Sequence, residues 1–124
     1  ALVISYNPGY QSVLKDLKPS TRQRFVSLAF DYPAVDVEAA IIAHEGGVPQ
    51  ALAERLAVLG QRVRALAAQG LTDGVSTRLL VYAAQLVARG IAPRRACEAA
   101  VAQGIGDEAE VQQAVRELID VLLP

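Results

Sequence analysis

Apolar residues run without alternation near the start of the chain and then recur at helical spacing over most of its length. The runs at residues 2–6 and 27–32 have the character of buried strands. From Asp36 onward, apolar positions recur every three or four residues, which is typical of amphipathic helices. The pattern therefore predicts a mainly α protein, with an α/β segment over residues 1–35 and an all-helical segment over residues 36–124.

Glycine, proline and capping residues divide the helical segment. Asp36 is predicted to cap a helix that ends at Gly46-Gly47, and Pro49 to start the next helix. That second helix carries an apolar stripe with Gly60 inside it, which predicts close packing or a kink there. The stripe consists of Leu52, Leu56, Leu59, Val63 and Leu66. Further boundaries are predicted at Ser76 or Thr77, at Arg89-Gly90, at Pro93, and at a capping box of Asp107 and Glu110.

Composition and charge exclude several classes of function. The net charge of −1 disfavours general nucleic-acid binding, which needs a basic surface. The longest apolar run, residues 79–88, is too short to span a membrane and contains Gln85. A single cysteine fits a reducing compartment, and the start of the chain does not have the form of a secretion signal. These features favour a cytoplasmic protein.

The first candidate for chemistry is Asn7, which follows the first predicted strand. A carboxamide at the carboxyl end of a strand lies where open α/β sheets bind ligands, and it could hold a water or a phosphate oxygen. The same side chain could instead cap the turn formed with Pro8 and Gly9. The residues alone favour the turn.

A basic cluster follows, with Lys15, Lys18, Arg22 and Arg24 against a single acid, Asp16. Such a patch in a mildly acidic protein suits a small anionic ligand or a charged interface, and a solvated loop is an equally good interpretation. In a helix over residues 20–26, the two arginines would point in different directions. One of them could then reach a neighbouring subunit, as arginines do in phosphoryl transfer, or both could form surface ion pairs.

Arg78 is the third candidate, in the first turn of a predicted helix where the dipole favours anions. With Tyr82, Gln85 and Arg89 it forms a polar line on an otherwise apolar helix, which simple solvent exposure would also explain. The lone His44 and the inward-facing Cys97 lack partners at the spacing of a metal site or a nucleophile.

A phosphate-binding loop of the form G-x-x-x-x-G-K-[ST] is absent from the chain. We therefore expect the chain to begin partway through a longer protein, with its first segment borrowing strands from sequence outside it.

Two long segments, SYNPGYQSVLKDLKPSTRQRF at residues 5–25 and GLTDGVSTRLLVYAAQLVARGI at residues 70–91, resemble the C-terminal half of AAA+ ATPases of the MoxR group. Within that group the chain is most similar to the CbbQ/NorQ/NirQ family. The resemblance covers nearly the whole chain. It implies the end of an AAA+ α/β core over residues 1–35, followed by the helical lid over residues 36–124.

The resemblance also implies roles for individual residues. Asn7 would be the sensor 1 residue that orients the attacking water and the γ-phosphate. Arg24 would be the arginine finger that reaches the ATP of the adjacent subunit, with Arg22 as its partner. Arg78 would be the sensor 2 arginine that the lid brings to the phosphates.

Members of the family are ring oligomers, usually hexamers, which use ATP and Mg²⁺ and work with a partner that carries a von Willebrand factor A domain. The implied function is chaperone-like: activation of rubisco or maturation of nitric oxide reductase as the client enzyme. The Walker A and Walker B residues lie outside this chain, so we expect the chain alone to be inactive. The competing hypothesis is a non-catalytic helical module for protein interaction.

Overall fold

The computed structural model describes residues 1–5, 18–70 and 74–124. These residues divide into two compact units, Ala1–Asp31 and Tyr32–Pro124. The helices are α1 (Pro19–Arg22), α2 (Val35–Gly46), α3 (Gln50–Ala68), α4 (Thr77–Ala88), α5 (Pro93–Cys97), a π-helical turn (Glu98–Ala102) and α6 (Ala109–Leu122). The described part of the chain is thus mainly α, as the sequence predicts.

The helix predicted over residues 20–26 is shorter than expected. It ends at Arg22, after which Arg24 N–H donates to the Thr21 carbonyl and Phe25 N–H to the Arg22 carbonyl. Both hydrogen bonds join residue i to residue i−3, which is the 3₁₀ spacing that often closes the end of an α-helix. Since α1 buries none of its residues, no packing supports a longer helix.

Neither predicted strand forms within the described residues: positions 2–5 and 27–32 are irregular. A strand is stable only when a neighbouring strand satisfies its backbone groups and an apolar face is covered. Here the apolar side chains of Val26, Leu28 and Phe30 are almost wholly exposed. The prediction of two buried strands is therefore wrong for the described residues, which provide no sheet that would cover these side chains.

The second unit is built on α2, α3 and α4, which pack on one another, with α5, the π-helical turn and α6 completing it. The predicted stripe on α3 faces the core: Leu56, Leu59 and Val63 are fully buried, and Leu52 and Leu66 pack partly buried against them. Alanines on α4, Ala83 and Ala84, are also fully buried. Small side chains there let the helices approach closely.

Two glycines mark the closest approaches in this unit. A Cβ placed on Gly60 would lie 2.6 Å from Leu80 Cδ1 of α4. A Cβ placed on Gly46, at the end of α2, would overlap the Cβ of Ala84. The close packing predicted at Gly60 is confirmed. Gly46 likewise allows α2 and α4 to approach closely.

Most helix ends follow the local signals. Gly47 adopts the left-handed conformation, with φ of 70°, that ends α2, and the Ser76 hydroxyl caps α4 by accepting from Leu79 N–H at 3.3 Å. Asp36 does not cap α2, because the helix already starts at Val35 and places Asp36 within its first turn.

The predicted capping box at the last helix is wrong as well. Helix α6 begins only at Ala109, which moves Asp107 out of the capping position, and Glu108 there forms no side-chain cap. Instead, the Gln112 amide donates to the Gly106 carbonyl at 2.6 Å and ties the preceding loop to the helix. None of the helices among the described residues has the length and apolarity that crossing a bilayer requires.

Candidate functional site

Arg78 is the second residue of α4 and is exposed to solvent. It forms no ion pair within the described residues. At the start of α4 the first backbone N–H groups point outward, so the helix end and the guanidinium both favour an anion. An exposed cation at the start of a helix is compatible with phosphate binding, and the role of Arg78 stays a prediction.

A buried carboxylate lies directly beneath the start of α4. Glu38 of α2 is completely inaccessible to solvent. Its two oxygens accept from the Arg64 guanidinium at 2.8 and 2.7 Å, and Oε2 also accepts from the Thr77 hydroxyl at 2.6 Å. Arg64 lies on α3 and Thr77 is the first residue of α4, so this Glu38 network (Glu38, Arg64 and Thr77) joins three helices.

The Arg64 guanidinium makes two further contacts. Its Nε donates to the Val75 carbonyl at 2.9 Å, and its Cζ lies 3.9 Å from the centroid of the Tyr32 ring. The cation–π contact and the carbonyl compensate for removing the guanidinium from water. Arg64 therefore binds both Glu38 and the segment just before α4.

Sequence reasoning did not identify the Glu38 network. Glu38 looks like an ordinary acid in the first turn of a helix, where the dipole favours it. One signal was present: Glu38 lies four residues before the buried Ile42 and so shares its face of α2. An acid on the core face of a helix requires a buried partner.

Arg22 and Arg24 both lie in the first unit and are exposed. Arg22 ends α1 and Arg24 lies in the turn that follows, so the predicted helical angle between them does not apply. Neither forms an ion pair within the described part of the chain. Asn7 lies outside the described residues.

The polar line along α4 borders an open groove. Tyr82, Gln85 and Arg89 line it on one side, and Ala99 and Ala100 of the π-helical turn on the other, around a volume of about 320 Å³. Gln85 is exposed, and its amide also donates to the Glu45 carbonyl at the end of α2 at 3.3 Å. Gln85 therefore links α4 to the end of α2.

Cys97 and His44, for which the sequence predicts no catalytic or metal-binding role, differ in their exposure to solvent. Cys97 is fully buried, and burial raises the pKa of its thiol to about 12, which keeps it protonated and unreactive at neutral pH. His44 lies exposed in the last turn of α2. Within residues 1–5, 18–70 and 74–124, no group of three or more His, Cys, Asp or Glu side chains is placed to hold a metal ion.

Comparison with known proteins gives consistent matches. The family model described as CbbQ/NirQ/NorQ C-terminal matches residues 38–122. The chain is 52% identical over 121 residues to protein CbbQ of Hydrogenophilus thermoluteolus. It is 50% identical over 120 residues to the denitrification regulatory protein NirQ of Pseudomonas aeruginosa, and 50% identical over 117 residues to protein NorQ of Paracoccus denitrificans.

These alignments cover 98%, 97% and 94% of this chain, but 45%, 46% and 43% of the three relatives. The chain therefore spans less than half the length of the curated relatives it matches. The matched family model covers more than half of the chain and takes in every helix from α3 to α6. The chain belongs to the CbbQ/NirQ/NorQ family, of which it represents the C-terminal part.

Proposed function

We propose that this chain is the C-terminal part of an AAA+ ATPase whose ATP hydrolysis drives the remodelling or maturation of a client enzyme. The observation that carries the proposal is the similarity to CbbQ, NirQ and NorQ along almost the whole chain. The exposed Arg78 at the start of α4, free of ion pairs within the described residues, supports it because such a position suits a phosphate group.

In this proposal the polar residues divide the work of phosphoryl transfer. Asn7 orients the attacking water, and Arg78 binds the phosphates from the lid. Arg24, with Arg22 beside it, extends to the nucleotide of the neighbouring subunit and stabilises charge in the transition state. Arg22 at the end of α1 and Arg24 in the turn after it are both exposed, which suits residues that reach a second chain.

The nucleotide site is shared between this chain and residues outside it. The phosphate-binding loop and the acids that hold Mg²⁺ are not in the sequence of this chain. Mg²⁺, when bound with ATP, neutralises phosphate charge. A finger that acts in trans requires a ring, for which we propose a homo-oligomer, most simply a hexamer, located in the cytoplasm.

The proposed partners are a protein with a von Willebrand factor A domain and a client enzyme. Rubisco and nitric oxide reductase are the two client classes that we propose, and one of the relatives, NirQ, is named a denitrification regulatory protein. Movement of the helical unit during the ATP cycle would transmit force to the client.

The test is ATP turnover by the full-length protein as a function of its concentration. We expect the turnover per subunit to rise as rings assemble, and to fall by about 10³-fold or more in Arg24→Ala, with ATP binding retained. Arg62→Ala is the matched control, since Arg62 is an exposed arginine on α3. Turnover that is unchanged in Arg24→Ala would remove that residue from its role.

An absence of ATP binding by the wild-type full-length protein would contradict the proposal as a whole. It would favour instead a helical module that acts only through protein contacts. Binding should therefore be measured first, by titration of a fluorescent ATP analogue, before turnover is compared between variants.

A further inference from the structure

The Glu38 network contacts the two residues that flank the start of the helix carrying Arg78. Thr77 immediately precedes Arg78, and its hydroxyl donates to Glu38 at 2.6 Å. Val75 lies two residues earlier, and its carbonyl accepts from Arg64 at 2.9 Å. The backbone that leads into Arg78 is therefore held at two points by a pair of charges on other helices.

Helix initiation alone does not require this arrangement. Ser76 already caps α4 in the usual manner, by accepting from Leu79 N–H. Nor is a buried ion pair an efficient way to stabilise a fold, because apolar residues of similar volume often do as well. What a bidentate pair with a third hydrogen bond provides is a single fixed geometry.

A fixed backbone at the start of α4 matters most for Arg78, although the Glu38 network does not contact the Arg78 side chain. Arg78 is exposed and forms no ion pair among the described residues, so its direction depends on the backbone of the first turn of α4. A flexible arginine binds phosphate weakly unless its helix is already oriented.

We propose that Glu38 and Arg64 are positioning residues for Arg78 and act through the Thr77 hydroxyl. This inference rests on the proposed function, in which Arg78 binds the phosphates of ATP. Loss of the Thr77 bond frees the first turn of α4 to shift and weakens nucleotide binding, although Thr77 itself does not touch the nucleotide.

The experiment uses the full-length protein and substitutes Thr77, because the hydroxyl can be removed with little change of shape. Thr77→Val is expected to raise the Kd for a fluorescent ATP analogue about three- to tenfold. Thr77→Ser, which keeps the hydroxyl, is expected to bind close to wild type. Val115→Ala in the core of α6 serves as a control for general destabilisation, with thermal unfolding measured for every variant.

A double-mutant cycle with Arg78→Ala separates positioning from other roles. If Thr77 acts through Arg78, Thr77→Val has no further effect on Kd once Arg78 is alanine. An equal loss in both backgrounds would overturn the proposal, as would a Kd unchanged in Thr77→Val or a similar loss in Val115→Ala.

Binding by Arg78→Ala distinguishes a wrong role for Arg78 from a wrong role for Thr77. If Arg78→Ala itself binds the ATP analogue like wild type, the role of Arg78 is wrong and the positioning role falls with it. If Arg78→Ala binds weakly while Thr77→Val binds normally, the proposed function stands and only the positioning role is wrong.

Discussion

The carboxylate of Glu38 and the guanidinium of Arg64 meet in a two-point ion pair that links residues 26 positions apart in the sequence. Glu38 is fully buried, and the Arg64 side chain is only 11% exposed. Both charges have been taken almost completely out of water, so each depends on the other. Together with the Thr77 hydroxyl, the pair joins α2, α3 and α4.

Removing one member of the pair should destabilise the fold more than removing both. Glu38→Met leaves the Arg64 charge without its ionic partner in a largely dry environment, and we expect the free energy of unfolding to fall by about 3–5 kcal/mol. The double variant Glu38→Met/Arg64→Met should recover much of that loss, because apolar side chains of similar volume fill the space. Equilibrium urea unfolding of the three proteins measures both values.

If the double variant were as unstable as the sum of its single variants, the pair would not be coupled as its geometry indicates. Arg64→Met alone is the second arm of this comparison, since it leaves the Glu38 carboxylate with only the Thr77 hydroxyl as a partner.

The sequence predicts the helices well because their ends depend on neighbouring residues. Gly47, Pro49 and Ser76 act within one turn of the helix end they define, and the stripe on α3 is a periodicity of a single segment. The Glu38 network could not be predicted in the same way. Its members are 26 and 39 residues apart, and no local pattern states that a given acid and a given arginine will meet.

The errors of prediction have the same origin. Residues 2–5 and 27–32 have the composition of strands, but a strand exists only when another strand pairs with it, and composition does not provide that partner. The sequence indicates a helix that starts at Pro93 but does not distinguish the π-helical turn at Glu98–Ala102, because that turn keeps the inward positions of Cys97 and Val101 apolar. The extra residue per turn changes the backbone without changing the hydrophobic pattern.

The contact between Gly46 and Ala84 predicts an unusual effect of adding one methyl group. Glycine to alanine normally favours a helix by up to about 1 kcal/mol. At Gly46 the new methyl would overlap the Cβ of Ala84, which is fixed to the backbone of α4. We expect Gly46→Ala to lower the free energy of unfolding by about 1–3 kcal/mol.

Two comparisons test the cause of that loss. Gly46→Ala/Ala84→Gly should recover part of the stability, since it moves the methyl group from one helix to the other. Gly60→Ala should be tolerated better, because its nearest neighbour is the end of the Leu80 side chain, which can rotate. A Gly46→Ala protein as stable as wild type would show that α2 and α4 separate without cost.

The buried thiol of Cys97 predicts a loss of stability at alkaline pH. Burial raises its pKa from 9.0 to about 12, so above pH 9 the unfolded chain releases a proton that the folded chain retains. The unfolded state then binds fewer protons, and the free energy of unfolding falls as the pH rises from 9 towards 12. Below pH 9 the thiol contributes no pH dependence.

Urea unfolding at pH 8 and pH 10 checks this sign when Cys97→Ala is measured beside the wild type. The variant should be less stable at both values because it leaves a small cavity, but it should lose less stability between them. Equal losses in the two proteins would mean that other groups account for the alkaline effect. Slow labelling of the native thiol by a disulfide reagent at pH 8 would agree with its burial.

The proposed division of labour between Arg24 and Arg78 predicts that two inactive variants restore each other. A full-length Arg24→Ala subunit retains Arg78 to bind its own nucleotide, while an Arg78→Ala subunit retains Arg24 to offer to its neighbour. In rings that mix the two at equal amounts, about a quarter of the interfaces contain both intact arginines. Turnover of the mixture should therefore exceed that of either variant alone.

The mixing ratio provides the control for this experiment. Turnover should peak near equal amounts and decline towards zero at either end, because complete interfaces require both kinds of subunit. If both arginines acted on the nucleotide of their own subunit, every site would lack one of them, and no ratio would exceed the better of the two variants. Mixing Arg24→Ala with Arg62→Ala, which retains both arginines, shows how far inactive subunits dilute an active ring.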